Sequence, residues 1–164
     1  MKKLVYLSLG SNLGDREKHL HESISHLQGL GAIRQVSAFY ETQPVEVDRE
    51  QPWFLNCALA METELTPLEF LNRMLRIEQS MGRIRREPKG PRTIDIDILL
   101  FGNDVLDTPD LTVPHPAMHQ RRFVLEPLVE IAPTVVHPVL KRTVSKLLNS
   151  LSSDSGLVKK LRPN

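Results

Sequence analysis

From Lys3 to Leu9 the chain alternates, with Val5, Leu7 and Leu9 on one face and Leu4, Tyr6 and Ser8 on the other, which predicts a strand. Gly10-Ser11-Asn12 turns the chain, and Leu13, Leu20, Ile24 and Leu27 then recur at helical spacing, with Asn12 or Asp15 able to cap the start and Gly29 and Gly31 able to stop it. From Ala32 to Thr42, Val36, Phe39 and Tyr40 suit a second strand, followed by a polar, proline-bounded loop to Pro52. The third strand, Trp53 to Thr63, sets Trp53, Leu55, Cys57, Leu59 and Met61 against Phe54, Asn56, Ala58 and Ala60. Thr66-Pro67-Leu68-Glu69 is a capping-box helix opening, and the helix should run to about Gly82 with Phe70, Leu71, Met74, Leu75 and Met81 as its apolar stripe. From Thr93 to Phe101 a fourth strand points Ile94, Ile96 and Ile98 one way and Asp95 and Asp97 the other. This βαββαβ order predicts an α+β, ferredoxin-like sheet with helices on both faces, a three-layer αβα arrangement. The last third holds a proline-rich segment, a helix near Arg122 to Ile131, and a short amphipathic helix through Val144, Leu147, Leu148 and Leu151; residues 152–164 are expected to be loose.

At 164 residues the chain has room for one core, so residues 1–164 are expected to form a single domain. With 40% hydrophobic and 25% charged residues the composition is globular, and 21 basic against 20 acidic side chains offer nucleic acid no global attraction. Cys57, the single cysteine, excludes an internal disulfide and a thiolate zinc site, which fits a reducing compartment. The apolar run after Lys2-Lys3 ends at Ser8 and Gly10, too soon for a signal peptide or a membrane span. A cytoplasmic monomer with no nucleic-acid or membrane partner is the expected state.

Asp95 and Asp97 concentrate the chemistry. Two residues apart on a strand they lie about 6.6 Å from each other, where two carboxylates repel by roughly 2.5 kcal/mol at an effective dielectric near 20. A bound cation relieves that repulsion, and hard oxygen ligands without nearby cysteine favour magnesium. A solvated outer face on an edge strand accounts for the same pattern. Just upstream, Arg83, Arg85, Arg86, Lys89 and Arg92 are opposed by Glu87 alone. Cations gathered beside carboxylates suit a magnesium-bound polyphosphate, although Arg83 and Arg85 would also sit well near a helix C-terminus.

Across a ferredoxin-like sheet, Asn56 would stand two strand spacings, about 9.6 Å, from the aspartates, with small Ser8 and Gly10 between. That gap suits a flat bicyclic ligand stacked on Phe54 and read by the Asn56 amide; burial of Phe54 under the C-terminal third is the alternative. Glu78 interrupts an apolar stripe, as a ligand contact or a partner of a loop arginine. His115, in Val113-Pro114-His115-Pro116, could help hold phosphates or simply be exposed; with His119 it has zinc-like spacing but no third soft ligand.

Gly10-Ser11-Asn12-Leu13-Gly14, Phe54-Leu55-Asn56, Arg83-Ile84-Arg85, the run from Gly90-Pro91-Arg92 through Thr93-Ile94-Asp95-Ile96-Asp97-Ile98, and Val113-Pro114-His115-Pro116 together resemble the 6-hydroxymethyl-7,8-dihydropterin pyrophosphokinase family, over about Leu4 to Pro138. The resemblance implies transfer of the β,γ-diphosphate of ATP to the hydroxymethyl group of a reduced pterin, giving AMP and the pterin diphosphate on the route to folate. It implies two magnesium ions on Asp95 and Asp97, and catalytic roles for Arg83, Arg85, Arg92 and the two aspartates. ATP would be contacted by Glu78, Arg83, Arg85, Arg92, Ile98, Thr112, His115 and Arg121, and the pterin by Thr42, Gln43, Val45, Phe54, Asn56 and Phe123. Lys89, Asp110, Leu75 and Phe54 depart from residues frequent in the family. An RNA-recognition module shares the βαββαβ order, but its aromatic signature is missing from the third strand, and Asp95 and Asp97 would repel RNA. A two-metal nuclease fits no better.

Overall fold

The alternating first segment forms β1 (Lys3–Ser11), flanked on one side by β5 (Asp95–Phe101) and on the other by β4 (Phe54–Thr63). The computed structural model describes residues 1–43, 53–82, 93–152 and 158–161. The far edge of β4 pairs with β2 (Ala32–Val36) and β3 (Tyr40–Thr42), and every pairing is antiparallel. This is the expected ferredoxin-like order, with one addition. Val158–Lys160 forms β8 and pairs with β3, so part of the tail expected to be loose is an edge strand instead. Tyr40 pairs with Lys160 and Thr42 with Val158, and the Leu161 N–H reaches the Phe39 carbonyl at 2.8 Å, so this short strand satisfies an otherwise bare edge.

Helices cover both faces. Below the sheet, α1 (Arg16–Leu27) and α2 (Pro67–Ser80) bury Leu20, Leu27, Phe70 and Met74 against Val5, Leu7, Leu9, Leu55, Cys57, Leu59, Met61, Ile96 and Ile98. Asp15 caps α1 by accepting the Lys18 N–H, which leaves Leu13 ahead of the helix and half exposed rather than on its stripe. Thr66 and Glu69 form the expected capping box of α2, which ends at Ser80; Ile77, not Leu75, is among its buried residues. Above the sheet, α3 (Arg122–Ile131) and α4 (Val144–Asn149) cover Tyr6, Ala58, Ala60, Leu99 and Leu100 with Val124, Leu125, Leu128, Val144 and Leu147.

The proline-rich segment contains a hairpin of β6 (Leu106–Asp107) and β7 (Thr112–Val113), closed by Thr108, whose hydroxyl accepts the Leu111 N–H and donates to the Leu111 carbonyl. A single turn of 3-10 helix at Met118–Gln120 leads from it into α3. Among the described residues no helix is long and apolar enough to cross a membrane.

Candidate active site

The upper face changes character along its length. Much of the face under α3 and α4 is apolar; towards its other end the registers place Asp95, Gly10, Asn56 and Tyr40 in one row across four strands, with Asp97, Ser8 and Ala58 in the next. Residues directly opposed in antiparallel strands point to the same side, so the two aspartates and Asn56 share a face, as the spacing predicts. Asp95 and Asp97 are half-buried there.

Asn56 is 3% exposed and Thr42 1% exposed, and the Asn56 amide N–H donates to the Thr42 hydroxyl. Gly10 explains why the amide can lie flat: a Cβ there would stand 2.4 Å from Asn56 Oδ1 and 3.3 Å from the Phe54 ring. Phe54 is half-buried, Gln43 is exposed, and Phe123 packs partly buried on the upper core. The Arg121 guanidinium carbon lies 5.6 Å from the centre of the Phe123 ring, a cation–π contact at the start of α3.

On the β5 side, a bulge drives the geometry. Tyr6 opposes Leu100 and Leu7 opposes Ile98, so Leu99 is an extra residue, and its carbonyl accepts the His115 N–H at 2.9 Å. His115 is thereby tied to the strand that carries the aspartates. Its Nδ1 accepts the Ala117 N–H at 3.1 Å, which leaves the ring proton on Nε2 as a hydrogen-bond donor. Burial, helped by the positive Arg121 and opposed by Asp95, lowers the His115 pKa from 6.5 to about 4, so the ring is neutral at physiological pH. Sequence alone left its exposure open.

Glu78 is 1% exposed and accepts the Ile96 N–H at 2.8 Å. The carboxylate thus joins α2 to β5 through the backbone. The Ile96 N–H points away from β1, so with the period of two that of Ile98 points to the same outer edge. There a cavity of about 460 Å³ is lined by Met74, Ile98, Thr112 and His115, and also by Asp97 and Asp110. The β6–β7 hairpin that builds this wall was not expected from sequence; the Thr108 and Leu111 hydrogen bonds that close it lie inside a segment without clear alternation. The expected site residues Arg83, Arg85, Arg92 and Val45, and any pairing of Glu78 with a loop arginine, lie outside the described residues. Cys57 faces the lower core, where burial pushes its thiol up to about 12 and removes it as a nucleophile.

Against known proteins, residues 6–133 match the model of the family described as 7,8-dihydro-6-hydroxymethylpterin-pyrophosphokinase (HPPK). A 2-amino-4-hydroxy-6-hydroxymethyldihydropteridine pyrophosphokinase of Bacillus subtilis is 44% identical over 137 residues, covering 82% of this chain and 81% of that one. A folic acid synthesis protein of Schizosaccharomyces pombe is 40% identical over 153 residues, and a similar one of Dictyostelium discoideum 40% over 154; the chain spans only 21% and 23% of their lengths. Among solved structures, a Plasmodium falciparum HPPK-DHPS matches with a TM-score of 0.74 at 20% identity, over 91% of this chain and 45% of that one, a likeness of fold. The chain belongs to the 7,8-dihydro-6-hydroxymethylpterin-pyrophosphokinase family.

Proposed function

We propose that this protein transfers the diphosphate of ATP to the hydroxymethyl group of 6-hydroxymethyl-7,8-dihydropterin, releasing AMP and the pterin diphosphate for folate synthesis. The observation that carries the reading is the row Asp95–Gly10–Asn56, which sets carboxylates and a buried amide on one sheet face with a side-chain-free floor between them. The nucleotide belongs in the cavity beside β5, where the backbone edge at Ile98 and the Thr112 segment offer flat hydrogen-bonding groups to a base, and His115 offers an Nε2 proton to phosphate oxygens. The pterin belongs over Gly10, with Phe54 and Phe123 for stacking and Asn56, oriented by Thr42, for its amide edge.

Among the described residues no group of three or more His, Cys, Asp and Glu could hold a metal ion. Asp95 and Asp97 fit magnesium, which takes one or two carboxylates and fills its shell with water and substrate phosphates. Magnesium held by Asp95 and Asp97 would supply charge neutralisation at the ATP phosphates. The chain's own part is positioning: Asp95 and Asp97 would hold that cation on one side of the polyphosphate, neutral His115 donates an Nε2–H hydrogen bond without adding charge, and Arg121 supplies a positive side chain. The arginines at 83, 85 and 92 would complete the charge balance from outside the described residues. We propose a monomer acting in the cytoplasm.

Incubation with ATP, magnesium and the hydroxymethyl dihydropterin tests this directly. AMP is the expected nucleotide product. ADP would mean single-phosphoryl transfer, and the absence of any pterin-dependent product would overturn the reading.

A further inference from the structure

The second strand of the sheet is broken, and the break controls which way Thr42 faces. Val36 opposes Leu59 and Tyr40 opposes Asn56, so the three residues between them on this strand face only two on β4. The extra residue lies within 37–39. Side chains alternate with a strict period of two, so an unbroken strand would put Tyr40 and Thr42 on the same face as Val36, turned to the lower core. One inserted residue reverses them, and Tyr40 and Thr42 share the upper face with Asn56. Phe39, three residues from Val36 rather than two or four, packs with it on the lower core instead.

Two side chains hold this bulge. Ser37, 5% exposed, accepts the Ala58 N–H on its hydroxyl at 2.9 Å and donates that hydroxyl to the Ala38 carbonyl at 2.8 Å, while its own N–H reaches the Ala58 carbonyl at 2.9 Å. From α3, ninety residues away in sequence, Glu130 accepts the displaced Ala38 N–H at 2.8 Å and the Tyr40 hydroxyl at 2.6 Å, with Lys160 of β8 at 3.3 Å. Although partial burial works against the Glu130 anion, these donors bring its pKa below the usual carboxylate range, and the same contact with burial raises that of Tyr40.

We propose that Ser37 and Glu130 are positioning residues for the pterin, because the bulge they lock is what turns Thr42 onto Asn56. The inference rests on the pterin reading above. The Asn56 amide has two edges, and its bond to Thr42 commits one N–H and so fixes which way the amide presents its remaining donor and acceptor. Loss of the bulge releases Thr42 and leaves the amide free to turn, while β5, with β1 and β4 between, keeps its register.

The test measures KM for ATP and for the pterin separately in Glu130→Gln, Ser37→Ala and Tyr40→Phe, together with thermal unfolding. Glu130→Gln offers an amide where Ala38 and Tyr40 both need an acceptor, and Ser37→Ala leaves the Ala58 N–H without its partner. Each is expected to raise KM for the pterin about tenfold or more, with KM for ATP changed less than about twofold. Tyr40→Phe keeps the Ala38 bond and folds most safely, and should show the same selectivity with a smaller rise. A lowered melting temperature with both KM values raised alike, or with the pterin KM unchanged, overturns the inference while leaving the activity in place. A wild-type protein that forms no AMP from ATP and the pterin overturns the activity itself, and the inference with it.

Discussion

The two flanks of β1 reach the same face by different routes. On the β5 flank the chemistry is contiguous: Asp95 and Asp97 alternate with Ile94, Ile96 and Ile98 in one run, and the buried isoleucines leave the carboxylates only one side to face. On the β3 flank, Thr42 depends on a one-residue bulge, a serine hydroxyl and a glutamate from a helix ninety residues on. The first arrangement is robust to changes elsewhere because its register follows from burying isoleucines. The second is conditional, since nothing in Tyr40-Glu41-Thr42 itself selects a face. The proposed two-substrate site therefore rests on one flank that local pattern determines and one that tertiary contacts determine.

The sharpest way to break this contrast is on the β5 flank. Asp97→Ala is expected to cut turnover by about a thousandfold or more, because the carboxylate would hold the cation that neutralises the ATP phosphates. Thermal unfolding measured beside turnover separates a loss of chemistry from a loss of fold. Turnover near the wild-type rate would show that Asp97 does not hold the phosphate-bound cation. Next in size is Gly10→Ala, which lies between the flanks. The added methyl group meets Asn56 Oδ1 at 2.4 Å, and Asn56 is buried and bonded to Thr42, so the amide must turn. Pterin affinity, measured by calorimetry, should fall by about ten- to a hundredfold, with nucleotide affinity little changed. An equal loss for both ligands would mean that the row of Asp95, Gly10 and Asn56 behaves as one unit, and the distinction between flanks would fail.

This contrast also sets how much was legible in the sequence. The strand of Asp95 and Asp97, the split faces of β4, the α2 capping box and the βαββαβ order all follow from alternation and caps, which are local. The register reversal left only one trace: Val36 and Phe39 both reach the lower core although three residues apart, a spacing that no unbroken strand permits. Glu130 left no trace at all, being an ordinary charged position on an amphipathic helix. The Leu99 bulge is similar, because Leu99 and Leu100 are both apolar and both buried on the upper face, so no polar residue marks the slip. β8 was missed for another reason: a three-residue edge strand takes its stability from the β3 backbone rather than from its own pattern.

The smallest expected effect separates the flanks by titration. His115 is held near pKa 4, against 6.5 for an unperturbed histidine, by burial first and by Arg121 second. As pH falls through about 6.5 the unfolded chain takes a proton on this ring, whereas the folded protein does so only near 4. The unfolded state then binds more protons, so this side chain's contribution to stability is complete above that window and is lost across it as the pH falls. Denaturant unfolding between about pH 7.5 and about pH 4.5 should show that decline, and His115→Gln should lessen it. The wild-type slope retained in His115→Gln would mean that other groups produce it. Gly10→Ala keeps His115, its bond to Leu99 and its burial beside β5, so it should lose pterin affinity yet keep the slope. If Gly10→Ala flattens the slope as His115→Gln does, the disturbance has crossed β1 and the two sides of the site are mechanically coupled.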